Sequence, residues 1–202
     1  MTKRKKRKRK EAKAKSNRNI VIAAAAVVFF AVYWFMAGFN GGGSDSYPSL
    51  VEADFYTGHE LTADGNSVAI PADYLDEKKL VFLDVKIEQP TEELLYLGRR
   101  IPLSMYRGGE YLPLILISTP KGTALSGIRV CEPCGSFSFH LTDKKYLVCD
   151  ACGTRWDIET LQGVSGGCQN YPPPRLSVET VGQEARVSLL DLKNAGLNPS
   201  ES

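Results

Sequence analysis

Cys131-Glu132-Pro133-Cys134-Gly135 and, fourteen residues on, Cys149-Asp150-Ala151-Cys152-Gly153 are the stretch around which the chain reads, followed by Gly166-Gly167-Cys168. These segments hold all five cysteines of the 202-residue chain. In each CxxCG unit two sulfurs share one tight turn. The glycine after them permits a backbone conformation that brings N–H groups toward the sulfurs, where they stabilise negative charge. Thiolate is a soft ligand, so the pattern selects zinc or iron, the iron as a single ion or as an iron–sulfur cluster. Magnesium and calcium prefer oxygen and do not fit. Cys131, Cys134, Cys149 and Cys152 are the expected ligands. Cys168 is a fifth thiol, and His140, lying between the knuckles, is a further candidate. His59 has no partner in the sequence and reads as a surface residue.

Outward from the cysteines, the charge is unevenly spread. Residues 1–18 carry eleven Lys and Arg against Glu11 alone, a net +10 that leaves a net −8 on the other 184 residues, for a total of +2. Residues 20–39 (IVIAAAAVVFFAVYWFMAGF) contain no charge. As a helix, twenty residues span about 30 Å, the thickness of a bilayer core. Tyr33, Trp34 and Phe35 cluster toward the far end, as interfacial aromatics do. A cleaved signal peptide is the rival reading, but the apolar run is long for one and no A-x-A site stands out after it. The chain therefore reads as a single-pass membrane protein. Its basic segment 1–19 is cytoplasmic and touches anionic lipid rather than nucleic acid, and 20–39 is the anchor. A Gly/Ser linker spans 40–49, and an extracytoplasmic domain covers 50–190, with a metal-binding subdomain at 128–176 and a tail at 191–202.

The domain reads as mostly β. Val81, Leu83, Val85 and Ile87 alternate with Phe82, Asp84, Lys86 and Glu88, the period of a half-buried strand. Residues 67–70 and 112–118 also read as strands, and the second is apolar on both faces and hence central in a sheet. Residues 175–180 and 185–189 form an expected hairpin. A short helix within 188–195 stops at Gly196, and a polar, disordered tail follows. There is no Ser/His/Asp grouping and no phosphate loop, so the expected role is not enzymatic.

Outside the cytoplasm free cysteines tend to oxidise, but five cannot all pair within one chain. A thioredoxin-like motif places its CxxC at the start of a helix, whereas here each CxxC is followed by Gly and strand-like sequence. A c-type haem needs His directly after the second cysteine, and neither unit has it. Spacing alone favours a zinc ribbon.

The sequence beyond the second knuckle points elsewhere. Cys149-Asp150-Ala151-Cys152-Gly153-Thr154-Arg155-Trp156-Asp157, then Gly163 and Pro172-Pro173-Pro174-Arg175-Leu176, resembles the second half of a Rieske iron–sulfur domain. Cys152, and in the first knuckle Cys134, stand where that family has histidine. The resemblance implies a Rieske-like or rubredoxin-like metal-binding fold, with the proline run as a loop over the cluster. Residues from about 65 to 175 also resemble the FtrD-like membrane iron–sulfur proteins. The likeness rests on the first CxxC, the run Tyr146-Leu147-Val148-Cys149-Asp150-Ala151-Cys152-Gly153-Thr154-Arg155-Trp156, and Gly166-Gly167-Cys168. It implies an iron–sulfur cofactor, electron transfer with a membrane redox or transport partner, and in some members a link to iron transport. The alternative is a zinc-stapled binding module serving as a subunit of a membrane complex or transporter.

Overall fold

A strand that is apolar on both faces needs cover on both sides. In the computed structural model, which describes residues 47–62 and 65–200, the 112–118 segment obtains it. It lies in β8 (Tyr111–Ser118), the middle strand of a five-stranded sheet. From one edge that sheet runs β14 (Arg175–Leu176), β9 (Ala124–Ile128), β8, β5 (Leu80–Lys86) and β2 (Asp54–Phe55). β5 and β8 pair antiparallel from Leu80↔Ile117 to Lys86↔Tyr111, while β2 runs parallel to β5. Val81, Leu83, Val85, Leu112, Leu114 and Leu116 point into one core, and Leu80, Phe82, Ile115 and Ile117 into a second. The alternation in β5 thus sorts residues between two buried faces, and its first half is not half-exposed as expected. Asp84 and Lys86 open toward solvent only at the far end.

The first core is covered by a four-stranded antiparallel sheet of β15 (Val178–Val181), β16 (Glu184–Ser188), β4 (Ser67–Pro71) and β3 (Glu60–Leu61). The expected hairpin is present from Val178, turning at Gly182-Gln183 with Gly182 at φ +62°, but its expected first residues, Arg175 and Leu176, pair with β9 in the central sheet instead. The second core is covered by the sheet that carries the cysteines. Its order is β1 (Leu50–Val51), β10 (Phe139–Thr142), β11 (Tyr146–Cys149), β12 (Arg155–Asp157) and β13 (Gly163–Ser165), all antiparallel. Phe139, Leu141, Leu147 and Trp156 project from it onto β5 and β8. A separate hairpin joins β6 (Leu94–Tyr96) to β7 (Arg99–Ile101).

Among the described residues there are two short α-helices, besides two single-turn 3-10 helices at Leu103–Met105 and Arg107–Gly109. α1 (Ala72–Lys78) follows Pro71 and buries only Leu75, so seven residues leave no periodic stripe to read in the sequence. α2 (Leu190–Asn194) lies where the final helix is expected, and the chain then turns at Gly196, φ +91°. The expectation of a disordered tail is corrected up to Ser200. Leu197 is 1 % exposed, Glu88 N–H donates to Asn198 O (2.9 Å), and Ser200 N–H donates to Lys86 O (2.9 Å). The tail is held because its one large apolar residue completes the first core.

The expected cytoplasmic segment 1–19, the expected anchor 20–39 and residues 40–46 of the expected linker lie outside the described residues. Among the described residues no helix is long and apolar enough to cross a membrane. At the other end of the linker, Tyr47 is 3 % exposed and its hydroxyl donates to Ser118 O (2.8 Å). Residues 47–49 therefore belong to the folded domain.

Candidate metal centre

The two knuckles are built alike. Gly135 N–H donates to Cys131 O (2.9 Å), and Gly153 N–H donates to Cys149 O (2.8 Å). Both glycines are left-handed, at φ +68° and +66°, a conformation costly for other residues. Each first cysteine is fixed by a backbone bond across its loop, Cys131 N–H to Ser136 O (2.8 Å) and Cys149 N–H to Thr154 O (3.0 Å). The third segment arrives beside the second knuckle. Cys168 N–H donates to Thr154 Oγ1 (3.2 Å). A Cβ on Gly166, at φ +101°, would lie 2.5 Å from that oxygen and 2.6 Å from Thr154 Cα.

This architecture brings all five thiols together. Cys131 and Cys152 Sγ are 4.0 Å apart, and Cys134 and Cys149 Sγ are 3.6 Å apart. The sulfurs of Cys131, Cys134, Cys152 and Cys168 all lie within 4.8 Å of one another. Cys149 joins the group through its contact with Cys134. Cys131, Cys149 and Cys168 are buried, while Cys134 and Cys152 are exposed, so the cluster of sulfurs reaches the surface on one side.

The surroundings divide the thiols electrostatically. Burial, then the crowding of Cys134, Cys149 and Cys168, pushes the Cys131 thiol well up. Burial also raises Cys149, against the Ser136 hydroxyl and the N–H groups of Cys152 and Ala151. At Cys152 burial acts upward, but it is outweighed by the Thr154 hydroxyl and N–H and by the Cys149 and Cys134 thiols, which bring it down to about 6. Thr154 Oγ1 is 3.2 Å from Cys152 Sγ. Packed thiols that resist ionisation beside one that ionises readily are what a cation, exchanging for protons, would stabilise. The all-sulfur donor set and the amide donors fit an iron–sulfur cluster or a zinc ion.

The residues around the thiols are stitched together. Trp156 is fully buried in the second core and its Nε1–H donates to Gln169 O (3.1 Å), tying β12 to the loop that bears Cys168. Asp157 Oδ1 caps the next turn through Glu159 N–H and Thr160 N–H. Arg99, on β7, links two cysteine-bearing segments: Nε donates to Glu132 Oε2 (3.0 Å) and Nη1 to Pro172 O (2.8 Å). Pro173 and Pro174 are buried, and Pro174 O accepts from Ile128 N–H (2.8 Å), so the proline run is laid along β9. His140 is not in the metal-capable group; its Nδ1 lies 2.6 Å from Asp150 Oδ1, which shares its carboxylate with Ser138 Oγ. His59 sits half-buried between β2 and β3, apart from the thiols in the sequence and in the sheet order.

Arg99 is not singled out by the sequence, and Glu132 and Thr154, though inside the quoted motifs, take on a supporting role only in the structure. Arg99 comes from a hairpin distant in sequence, and Thr154 and Glu132 look like ordinary loop residues until their partners are in place.

The amino-acid pattern has a counterpart among known proteins. Residues 100–196 match the FtrD-like family of membrane iron–sulfur containing proteins. No curated protein matches the chain. The FtrD-like segment contains all five cysteines, together with β8 and β9 behind them and the hairpin of β15 and β16. The family's description carries an iron–sulfur centre, and the cysteine group just described is one that could hold such a cluster.

Proposed function

We propose that this chain is a membrane-anchored, extracytoplasmic iron–sulfur protein that transfers single electrons between a membrane redox or transport partner and its own sulfur-bound cluster. The observation that carries the reading is the meeting of five thiols from three separate loops at a point that opens to solvent through Cys134 and Cys152. An electron-transfer site must be close to the surface yet held rigidly, with donors to its sulfurs. The bound cluster supplies the redox chemistry. The chain supplies thiolates, amide donors from Ala151, Cys152 and Thr154, and a buried wall formed by Trp156 and β11.

Cys131, Cys134 and Cys152 belong both to the knuckle motif and to the group selected by distance, and act as ligands. Two thiols compete for the fourth place: Cys149 by motif, Cys168 by distance. Two like knuckles with the proline run alongside support a Rieske-like site, with Cys134 and Cys152 in place of its histidines. The basic segment 1–18 before the apolar run 20–39 supports a cytoplasmic N-terminus. A periplasm-active reporter fused after Ser202 should be active, and activity only from a cytoplasmic reporter would contradict that orientation.

Metal and acid-labile sulfide analysis of the full-length chain, purified anaerobically in detergent, tests the cofactor. Brown protein with iron and sulfide in equal amounts is expected. Colourless protein with one zinc per chain would leave the binding-module reading instead.

A further inference from the structure

A buried charge hydrogen-bonded to the backbone beside the first knuckle is not explained by metal binding alone. Arg129, two residues before Cys131, is 2 % exposed. A guanidinium taken out of water is tolerated only where it is paired and hydrogen-bonded. Arg129 Nη2 donates to Asp84 Oδ1 and to Tyr106 Oη, each at 2.7 Å, and Nη1 donates to Phe137 O, also at 2.7 Å. Its carbon centre lies 4.4 Å from the Phe82 ring centroid, 4.8 Å from that of Tyr106 and 5.1 Å from that of Phe55.

The carboxylate of Asp84 is shared. It also accepts the Tyr106 hydroxyl (2.7 and 2.9 Å) and Arg107 Nη1 (3.0 Å). Two cations therefore face one carboxylate, and the network is net positive. Arg107 is half exposed and screened by water, whereas Arg129 is not. The Nη1 contact fixes where that charge sits. Phe137 follows Ser136, whose carbonyl accepts Cys131 N–H (2.8 Å), so the guanidinium is locked onto the backbone that closes the first knuckle.

We propose that Arg129 is a positioning residue that sets the reduction potential of the sulfur site, with Asp84 as its counterweight. The proposal rests on the iron–sulfur reading above. When the site takes one electron from an external donor, its charge becomes one unit more negative and no protein bond is made or broken. A fixed positive charge in a poorly solvated position favours that reduced state, and the neighbouring carboxylate opposes it. If the network were only a mechanical brace, its two charges would have no reason to act in opposite directions.

Midpoint potentials of the full-length, iron-loaded protein and its variants provide the test. Arg129→Met should raise the oxidised-to-reduced ratio at a fixed ambient potential on the order of tenfold, equivalent to about −59 mV for one electron. Asp84→Asn should move the midpoint in the positive direction, and Arg129→Lys, which keeps the charge, should return toward the wild-type value. If Arg129→Met does not retain iron, the positive shift of Asp84→Asn decides the matter alone. Shifts of the same sign in Arg129→Met and Asp84→Asn, or no shift in Asp84→Asn at wild-type iron content, would overturn the proposal and leave the iron–sulfur reading standing. Wild-type protein without iron would overturn both.

Discussion

At Gly166 the chain has no room for a side chain, because a Cβ would press on both Thr154 Oγ1 and Thr154 Cα and the backbone is already left-handed. Its neighbour Gly167 has nothing within 4 Å of the same position. Gly166→Ala should therefore cost about 1–3 kcal/mol in denaturant unfolding, with Gly167→Ala close to neutral. The pair Gly166-Gly167 stands out in the sequence, but only the packing tells which glycine is required. The same holds for the thiols. The knuckle spacing singles out Cys131, Cys134, Cys149 and Cys152 as candidate ligands without a structure, yet the nearness of Cys168 to Cys131, Cys134 and Cys152 depends on a loop closed by Thr154. Serine at Cys131, Cys134 or Cys152 should abolish metal retention. Of Cys149→Ser and Cys168→Ser, the one that also loses iron names the fourth ligand, and equal retention in both would contradict a four-thiolate site that needs either.

Among the elements, β5, β8 and the hairpin of β15 and β16 follow from periodicity, since one residue's exposure predicts the next along a strand. α1 and the hairpin of β6 and β7 do not: α1 is too short to show a stripe, and the turn at Leu97-Gly98, both left-handed, sits among mixed residues. That hairpin nevertheless delivers Arg99 to Glu132 and Pro172 O. Arg99→Leu should leave the sheets intact but loosen the first knuckle from the proline run, weakening metal retention against a chelator by about 10–100-fold, as loss of a ligand-supporting bond commonly does. Unchanged retention would mean that the link is decorative. On β12, Trp156→Ala should destabilise the domain by about 3–5 kcal/mol, because it empties the wall between the thiols and β8. Trp156→Phe, losing chiefly the bond to Gln169 O, should cost about 1 kcal/mol.

Across the described residues, two cores share one central sheet, and the sheet that holds Cys149 and frames the other cysteines is a full layer of the domain rather than an appended ribbon. Composition and alternation reveal the mostly β character, but not that β5 is covered twice, since this depends on which distant segment packs against it. The end of the chain is similar: its polar sequence hides Leu197, which closes the first core. Truncation after Gly196 should lower stability by about 1.5–3 kcal/mol, the worth of one buried leucine, seen as a lower melting temperature. The account as a whole stands on electron transfer at the five-thiol site, and a reductive titration of the full-length protein followed by low-temperature paramagnetic resonance tests it most directly. It predicts uptake of one electron per chain, with reversible bleaching of the visible bands and a new paramagnetic signal. A chain that takes up no electrons and shows neither bands nor signal would contradict it.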